Sequence, residues 1–212
     1  EGSTIYLTFD DGPSSTVTPK VLDALKKYNI KATFFILNFD DSSIPILQRM
    51  IDEGHTVGIH GYSHEYGEIY RSTDAYMENV NKLHDKIMDK LGYDARITRF
   101  PGGSSNSVSA KYSPGIMTKL VTMVEEQGYK YVDWNVDTSD AVSKRTATEI
   151  ADTVKQYVSG NRQANIVLMH DLYGQETTAE SLEQIIEWGL ANGYRFDRIT
   201  DATPECHHKV TN

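Results

Sequence analysis

Two adjacent carboxylates, Asp10 and Asp11, stand where an apolar segment of this 212-residue chain ends. They follow the run Ile5–Leu7 and precede Gly12-Pro13, a pair that is typical of turns. Successive strand residues point to opposite sides, so the two carboxylates have different tasks unless the backbone turns. One can bind a metal ion while its neighbour handles a proton. On these residues alone, a simple loop is an equally good interpretation.

Two histidines, His60 and His64, are four residues apart, which brings both imidazoles to one point if the segment makes a helical turn. With Asp11 they form a set of two histidines and one carboxylate. Three protein ligands leave coordination positions for water and substrate, as catalytic zinc sites do. The set predicts one divalent metal ion, zinc first, with cobalt, nickel or manganese as alternatives. The remaining histidines lack such a context and are interpreted as surface residues: His55, His84, His207 and His208.

Apolar runs alternate with helical patterns along the whole chain. The longest helical pattern extends from about Ser72 to Leu91, with apolar residues at steps of three or four. After the strand that ends at Asp10-Asp11, the other six predicted strands are 32–37, 56–60, 97–100, 129–136, 165–169 and 195–199. Seven strands alternating with helices predict an α/β fold with parallel pairing, as a barrel or an open doubly wound sheet.

Polar residues of these types collect just after the predicted strands. Both candidate folds bind ligands at the carboxyl ends of their strands, so the residues there are expected to meet on one face. The residues in question are Asp10, Asp11, His60, His64, Arg99, Asp137, Asp140, His170 and Asp171.

The composition excludes several classes of protein. With 21 Lys and Arg against 30 Asp and Glu, the formal charge is −9, which disfavours nucleic acid as a partner. No apolar segment approaches the length of about 20 residues that spans a membrane. A single cysteine, Cys206, excludes an internal disulfide. The start, Glu1-Gly2-Ser3, lacks the layout of a signal peptide, and we expect residues 1–212 to be one excised catalytic domain.

Four separated motifs occur in the order seen in NodB-like polysaccharide deacetylases, also called carbohydrate esterase family 4. The chain resembles this family from Ile5 to about Pro204. The matching segments are Thr8-Phe9-Asp10-Asp11-Gly12, the His60/His64 pair, Arg99-Phe100-Pro101 and Leu168-Met169-His170. The resemblance implies a distorted (β/α) barrel of about seven parallel strands and the metal-dependent removal of acetyl groups from sugars.

Carried over residue by residue, the resemblance implies that Asp10 is the general base and His170 the general acid. Asp11, His60 and His64 would be the metal ligands. A bound divalent ion lowers the pKa of water toward about 7 and polarises the acetyl carbonyl. A carboxylate can then complete the deprotonation of water, and a histidine can protonate the leaving amine near neutral pH.

The resemblance also implies supporting residues. Arg99 would pair with Asp10, although an ordinary surface ion pair is the alternative. Pro101 and Gly102 would bind substrate, with the backbone N–H of Gly102 as a donor to the tetrahedral oxyanion. Leu168 would line the pocket for the acetyl methyl group, although a buried strand leucine needs no functional explanation.

An aspartate after the fifth predicted strand would orient His170. The family pattern is Asp-x-x-Asp-Trp, and this chain has Asp137-Thr138-Ser139-Asp140-Ala141, without the tryptophan. We expect Asp137 to be the partner of His170, with Asp140 as the alternative, and we expect an unusual groove wall. Trp134 is interpreted as a core residue rather than a replacement.

The leading hypothesis is a secreted or cell-wall deacetylase of N-acetylglucosamine units, acting as a monomer on peptidoglycan ahead of chitin oligomers. Acetylxylan O-deacetylation is an alternative, because ester cleavage needs the same site with less help for the leaving group. A non-catalytic glycan-binding module is a second alternative. The full catalytic set disfavours it, since a binding module needs neither a base nor an acid.

Overall fold

Eight parallel strands form one sheet in the computed structural model, which describes residues 3–212. Glu1 and Gly2, on which part of the signal-peptide prediction rests, lie outside the described residues. The strands are β1 Thr4–Asp10, β2 Thr33–Ile36, β3 Thr56–Ile59, β4 Ile97–Thr98, β5 Lys130–Tyr131, β6 Val136–Asp137, β7 Ala164–His170 and β8 Arg195–Phe196. The order is β5-β4-β3-β2-β1-β7-β6, and β8 pairs with the start of β1.

The sheet curls into an incomplete barrel, and the predicted α/β fold of about seven parallel strands is confirmed. The predicted strand 129–136 is two short strands, because β5 pairs with β4 at one edge and β6 with β7 at the other. Between them the backbone bonds to both sides: Val132 N–H donates to Thr98 O, and Asn135 N–H donates to Ile166 O. This segment therefore spans the gap between the two edges of the sheet.

Seven α-helices connect the strands in the described part of the chain. They are α1 Thr18–Lys27, α2 Ile44–Asp52, α3 Tyr66–Ile69, α4 Thr73–Leu91, α5 Ile116–Glu126, α6 Ala147–Tyr157 and α7 Glu176–Ala191. The prediction for α4 is confirmed: the Ser72 hydroxyl accepts from Ala75 N–H at its start, and Gly92, with φ of 64°, ends it. Across residues 3–212, none of the helices has the length and apolar character needed to cross a bilayer.

Two apolar clusters pack on the sheet. The larger lies between the sheet and the helices, and the smaller fills the barrel interior with Tyr6, Phe35, Ile97, Val132, Ile166 and Ile199. Trp134 packs against this interior cluster, as predicted for a core residue. The guanidinium of Arg99 is fully buried beside it, with its Cζ 4.3 Å from the Phe35 ring centroid. The barrel interior therefore encloses a cation under the carboxyl ends of the strands.

The surface interpretation of His55 is wrong. This side chain is only 2% exposed, and its Nδ1 accepts a hydrogen bond from Ala32 N–H at 3.0 Å. Burial lowers the pKa of His55 to about 4, so the imidazole is neutral at physiological pH. His55 lies between α2 and β3, and its ring binds the backbone just before β2. It has no part in the site described below.

Candidate metal and catalytic site

The first two site residues come from the carboxyl end of β1. Asp10 is the last residue of this strand and lies beside His170, the last residue of β7, in the parallel register. Asp11 has a φ of 77°, in the left-handed region that non-glycine residues seldom adopt. The chain thus turns one residue earlier than Gly12-Pro13. This turn brings the Asp11 carboxylate toward His60, His64 and His170.

The carboxylate of Asp11 meets two imidazoles. Its Oδ1 lies 3.4 Å from His60 Nε2 and 3.8 Å from His64 Nε2. Oδ1 is buried and has no hydrogen-bond partner among residues 3–212. His60 Nδ1 lies 2.8 Å from Arg99 O, and since a carbonyl only accepts, Nδ1 carries the proton and Nε2 presents its lone pair to Asp11. An uncommitted carboxylate oxygen and fixed imidazole nitrogens fit a divalent metal ion.

The segment from His60 to His64 is a loop rather than the expected helical turn. Asn79, a buried residue of α4, holds it: its Oδ1 accepts from Ser63 N–H at 2.8 Å, and its Nδ2 donates to Ser63 O at 3.1 Å. The sequence interpretation missed Asn79. Its only signal is a polar side chain on the otherwise apolar face of α4.

Asp10 is held by the buried Arg99. Arg99 Nη1 donates to Asp10 Oδ1 at 2.9 Å and to Thr8 Oγ1 at 2.8 Å. Its Nε and Nη2 donate to the carbonyl oxygens of Val132 and Asp133. Because the guanidinium is fully buried, the alternative of a surface ion pair does not apply. Asp10 Oδ2 remains available and lies 3.8 Å from His60 Nε2.

His170 is paired with Asp140, so the preference for Asp137 is corrected. Asp140 Oδ1 lies 2.8 Å from His170 Nδ1, and its Oδ2 accepts from His170 N–H at 2.8 Å. Asp137 is exposed, and its carboxylate accepts from Ser139 N–H. Ser139 has a φ of 54°, so the chain reverses between the two aspartates and turns Asp140 inward.

The protonation of His170 follows from this environment. Burial lowers the pKa of His170, but the hydrogen bond to Asp140 and the charges of Asp10, Asp140 and Asp11 outweigh it and raise the pKa to about 9. Nδ1 is committed to Asp140, and Nε2 lies 4.0 Å from Asp11 Oδ2. The imidazole can therefore present a proton at Nε2.

The residues predicted to contact substrate follow Arg99 in the chain or lie on β7 with His170. Gly102 has a φ of 80°, and its N–H has no acceptor among residues 3–212. Pro101 O accepts from the buried Tyr70 hydroxyl at 2.7 Å, which fixes the backbone before Gly102. Leu168 is buried two residues before His170 on β7 and so shares its face of the strand. Ala141 is exposed and lines a depression together with Asp140 and residues 143–145.

A buried carboxylate that the sequence interpretation left without a role supports the Asp10-Asp11 turn. Asp171 Oδ2 accepts from Thr18 Oγ1 at 2.7 Å, and Asp171 N–H donates to Asp10 O. A Cβ at Gly12 would lie 2.5 Å from this carboxylate, so only glycine fits there. Burial raises the pKa of Asp171 to about 7.

Comparisons with known proteins identify a sequence family and several relatives. The sequence profile described as polysaccharide deacetylase matches residues 1–132. The chain is 35% identical over 198 residues to the peptidoglycan-N-acetylglucosamine deacetylase PgdA of Listeria monocytogenes. That alignment covers 93% of this chain but only 38% of the Listeria protein.

Solved structures share the fold. The catalytic domain of a peptidoglycan N-acetylglucosamine deacetylase from Eubacterium rectale superposes with a TM-score of 0.93 at 42% identity, over 100% of this chain and 95% of that one. A family 4 acetyl xylan esterase from Clostridium thermocellum, in complex with a cobalt ion, has a TM-score of 0.75 at 28% identity, over 92% and 88% of the two chains.

Proposed function

Because the chain belongs to the polysaccharide deacetylase family, carbohydrate esterase family 4, we propose that it removes acetyl groups from N-acetylglucosamine units of peptidoglycan. The observation that carries this proposal is the convergence of an uncommitted Asp11 oxygen and two imidazoles between Asp10 and His170. Chitin oligomers rank second as substrates. Peptidoglycan lies outside the cell membrane, so the proposed place of action is the cell wall.

Asp11, His60 and His64 would hold one divalent metal ion. Their ligand atoms all lie within 4.8 Å of one another. Two imidazoles and a carboxylate suit zinc best, with cobalt, nickel and manganese as alternatives. When bound, such an ion lowers the pKa of water and polarises the acetyl carbonyl.

Asp10 acts as the general base in the proposed mechanism. Arg99 occupies Oδ1, which leaves Oδ2 to take the proton of the attacking water. Arg99 also donates to Val132 O and Asp133 O, and these contacts hold the guanidinium in place while Asp10 takes the proton. The base is therefore oriented from inside the barrel.

His170 acts as the general acid and Gly102 as an oxyanion donor. Asp140 holds Nδ1 of His170, so the proton at Nε2 is directed toward the leaving nitrogen. Gly102 N–H, which has no acceptor in the described part of the chain, can donate to the acyl oxygen as negative charge develops there. Leu168 supplies an apolar side chain on the same face as His170, suited to the acetyl methyl group.

The bond that the site cleaves is either an N-acetyl amide or an O-acetyl ester, and the two differ in their need for a general acid. The names of the Listeria and Eubacterium relatives favour peptidoglycan, whereas the name of the Clostridium relative favours acetylated xylan. An amine must be protonated to leave, but an alkoxide needs less help. A deacetylase of amino sugars should therefore depend strongly on His170, and an esterase should depend on it less.

The test measures acetate release by metal-loaded protein from peptidoglycan, chitin oligomers and acetylxylan in parallel. Each substrate is repeated with a chelator, with Asp10→Asn and with His170→Ala. We expect chelator-sensitive release that is greatest on peptidoglycan and falls by at least about 100-fold in both variants. Greater release from acetylxylan with a small effect of His170→Ala would select the esterase. Full activity of metal-loaded Asp10→Asn would show that Asp10 is not the base.

A further inference from the structure

Tyr66 lies beside the backbone donor of the site without a role in the mechanism described above. It is the first residue of α3 and is half-buried. A Cβ at Gly102 would lie 2.8 Å from the Tyr66 hydroxyl oxygen. Since Cα and Cβ are about 1.5 Å apart, this oxygen lies no more than about 4.3 Å from the Gly102 Cα. The phenol therefore occupies the space that a side chain at position 102 would fill.

The ring of Tyr66 is fixed in place by aromatic neighbours. Its edge-to-face contact with His64 has a centroid distance of 5.4 Å, and its centroid lies 5.7 Å from that of Tyr70. Tyr70 in turn stacks on Tyr76 and donates its hydroxyl hydrogen to Pro101 O. The same aromatic group therefore positions Tyr66 and the backbone that presents Gly102 N–H.

The Tyr66 hydroxyl is not needed to hold the fold. No residue in the range 3–212 makes a hydrogen bond to it, whereas the hydroxyl of Tyr70 donates to Pro101 O. A packing role would be served equally well by phenylalanine. A hydroxyl that is held rigidly at the rim of a site, but is not used by the protein, is suited to a ligand.

We propose that the Tyr66 hydroxyl is a second hydrogen-bond donor to the acyl oxygen, acting beside Gly102 N–H and strengthening as that oxygen becomes an oxyanion. This inference rests on the proposed deacetylase function. It follows from three features that converge on one point: the hydroxyl next to Gly102, the ring against the metal-ligand candidate His64, and the absence of a protein partner within the described residues. A donor of this kind lowers the barrier without tightening substrate binding.

The size of the effect follows from the exposure of the group. Loss of an enclosed oxyanion donor lowers kcat by about 100- to 1,000-fold. Tyr66 is only half-buried, so water can partly replace it. We therefore expect Tyr66→Phe to lower kcat by about 10- to 100-fold while KM changes by less than about twofold.

The experiment compares wild type, Tyr66→Phe and the matched surface variant Tyr157→Phe, whose ring is half-exposed at the end of α6. For each protein, kcat and KM are measured on the substrate that wild type turns over best, together with bound metal and thermal unfolding temperature. The expected result is a fall in kcat for Tyr66→Phe alone, with metal content and unfolding temperature unchanged in all three.

Other results would overturn the inference. An unchanged kcat in Tyr66→Phe would remove Tyr66 from the reaction and leave the proposed function intact. A rise in KM alone would mean that the hydroxyl binds a sugar group rather than the oxyanion. A loss of bound metal would reassign Tyr66 to positioning His64. If wild type itself shows no chelator-sensitive acetate release, the proposed function fails, and this inference fails with it.

Discussion

Replacing Asp140 with asparagine tests whether this carboxylate controls the protonation of His170. The two side chains share a 2.8 Å contact, and Asp140 is fully buried at the carboxylate. In the metal-free protein, burial opposes the charged imidazole, but the Asp140 hydrogen bond and the nearby carboxylates raise the pKa of His170 to about 9. Asparagine keeps a carbonyl acceptor but loses the charge. The lowering of the His170 pKa by burial is therefore offset less strongly.

The expected shift can be worked out from these contacts. An opposite charge within hydrogen-bond distance shifts a pKa by about 1–3 units, so the pKa of His170 in Asp140→Asn should fall by about two units, to about 7. At pH 8, an imidazole with a pKa of about 9 is about 90% protonated, whereas one with a pKa of about 7 is about 10% protonated. The population able to donate a proton at this pH should therefore fall about tenfold.

The assay is an NMR titration of the histidine ring protons in metal-free protein, with His170→Ala used to identify the resonance. The matched control is Asp137→Asn, the same substitution three residues earlier, on an exposed carboxylate bound to Ser139 N–H. The control should leave the pKa of His170 within about 0.3 units of wild type. The reasoning is refuted if Asp140→Asn leaves the titration of His170 unchanged, or if Asp137→Asn lowers it equally.

Three further perturbations test the rest of the site. Asp11→Asn should weaken zinc binding by at least about 10-fold in a competition titration, because a charged ligand is lost, and the exposed Asp89→Asn should not. Arg99→Lys should lower the free energy of unfolding, measured by denaturant titration, by about 3 kcal/mol. One ammonium group cannot reach the four acceptors that the guanidinium binds. Equal stability of the two proteins would contradict this. Asp171→Asn should gain about 4 kcal/mol of stability relative to wild type between pH 4 and pH 8, because one pKa unit corresponds to about 1.4 kcal/mol. Burial raises the pKa of Asp171 from 3.8 to about 7, so wild type loses stability as the pH rises from about 4 to about 7 and loses no more above that, whereas asparagine does not ionise.

The sequence predicts the fold because its strongest signal is the alternation of apolar runs with helical patterns. The β1 segment and α4 have this signal along their whole length and are found where it places them. The predicted strand 129–136 fails because its pairing is set by partners distant in the chain. Thr98 and Ile166 lie on opposite edges of the sheet, and each bonds to one half of the segment. The residues within 129–136 do not show where the segment divides into β5 and β6.

The site is predicted at the level of residue type and less well at the level of partners. The rule that polar chemistry follows the strands is enough to bring Asp11, His60, His64 and His170 to one end of the sheet. It does not distinguish Asp137 from Asp140, since both follow the predicted strand 129–136. Nor does it find Asn79, whose contact to the His60–His64 loop comes from the middle of a helix.

In the motifs Asp10-Asp11 and Asp137–Asp140, the same physical feature makes the direction of the carboxylates hard to predict from sequence. Asp11 and Ser139 both adopt positive φ without being glycine, a conformation that costs about 1 kcal/mol per residue and that residue type does not reveal. Hydrogen bonds support both turns: Asp11 N–H donates to Phe35 O of the neighbouring strand, and within the second motif Asp137 Oδ1 accepts from Ser139 N–H while Asp140 binds His170. The turn selects which of two neighbouring aspartates enters the site and which performs another task. The direction of each site carboxylate is therefore decided by one backbone torsion angle, which a neighbouring strand supports at Asp11 and a hydrogen bond within the motif supports at Ser139.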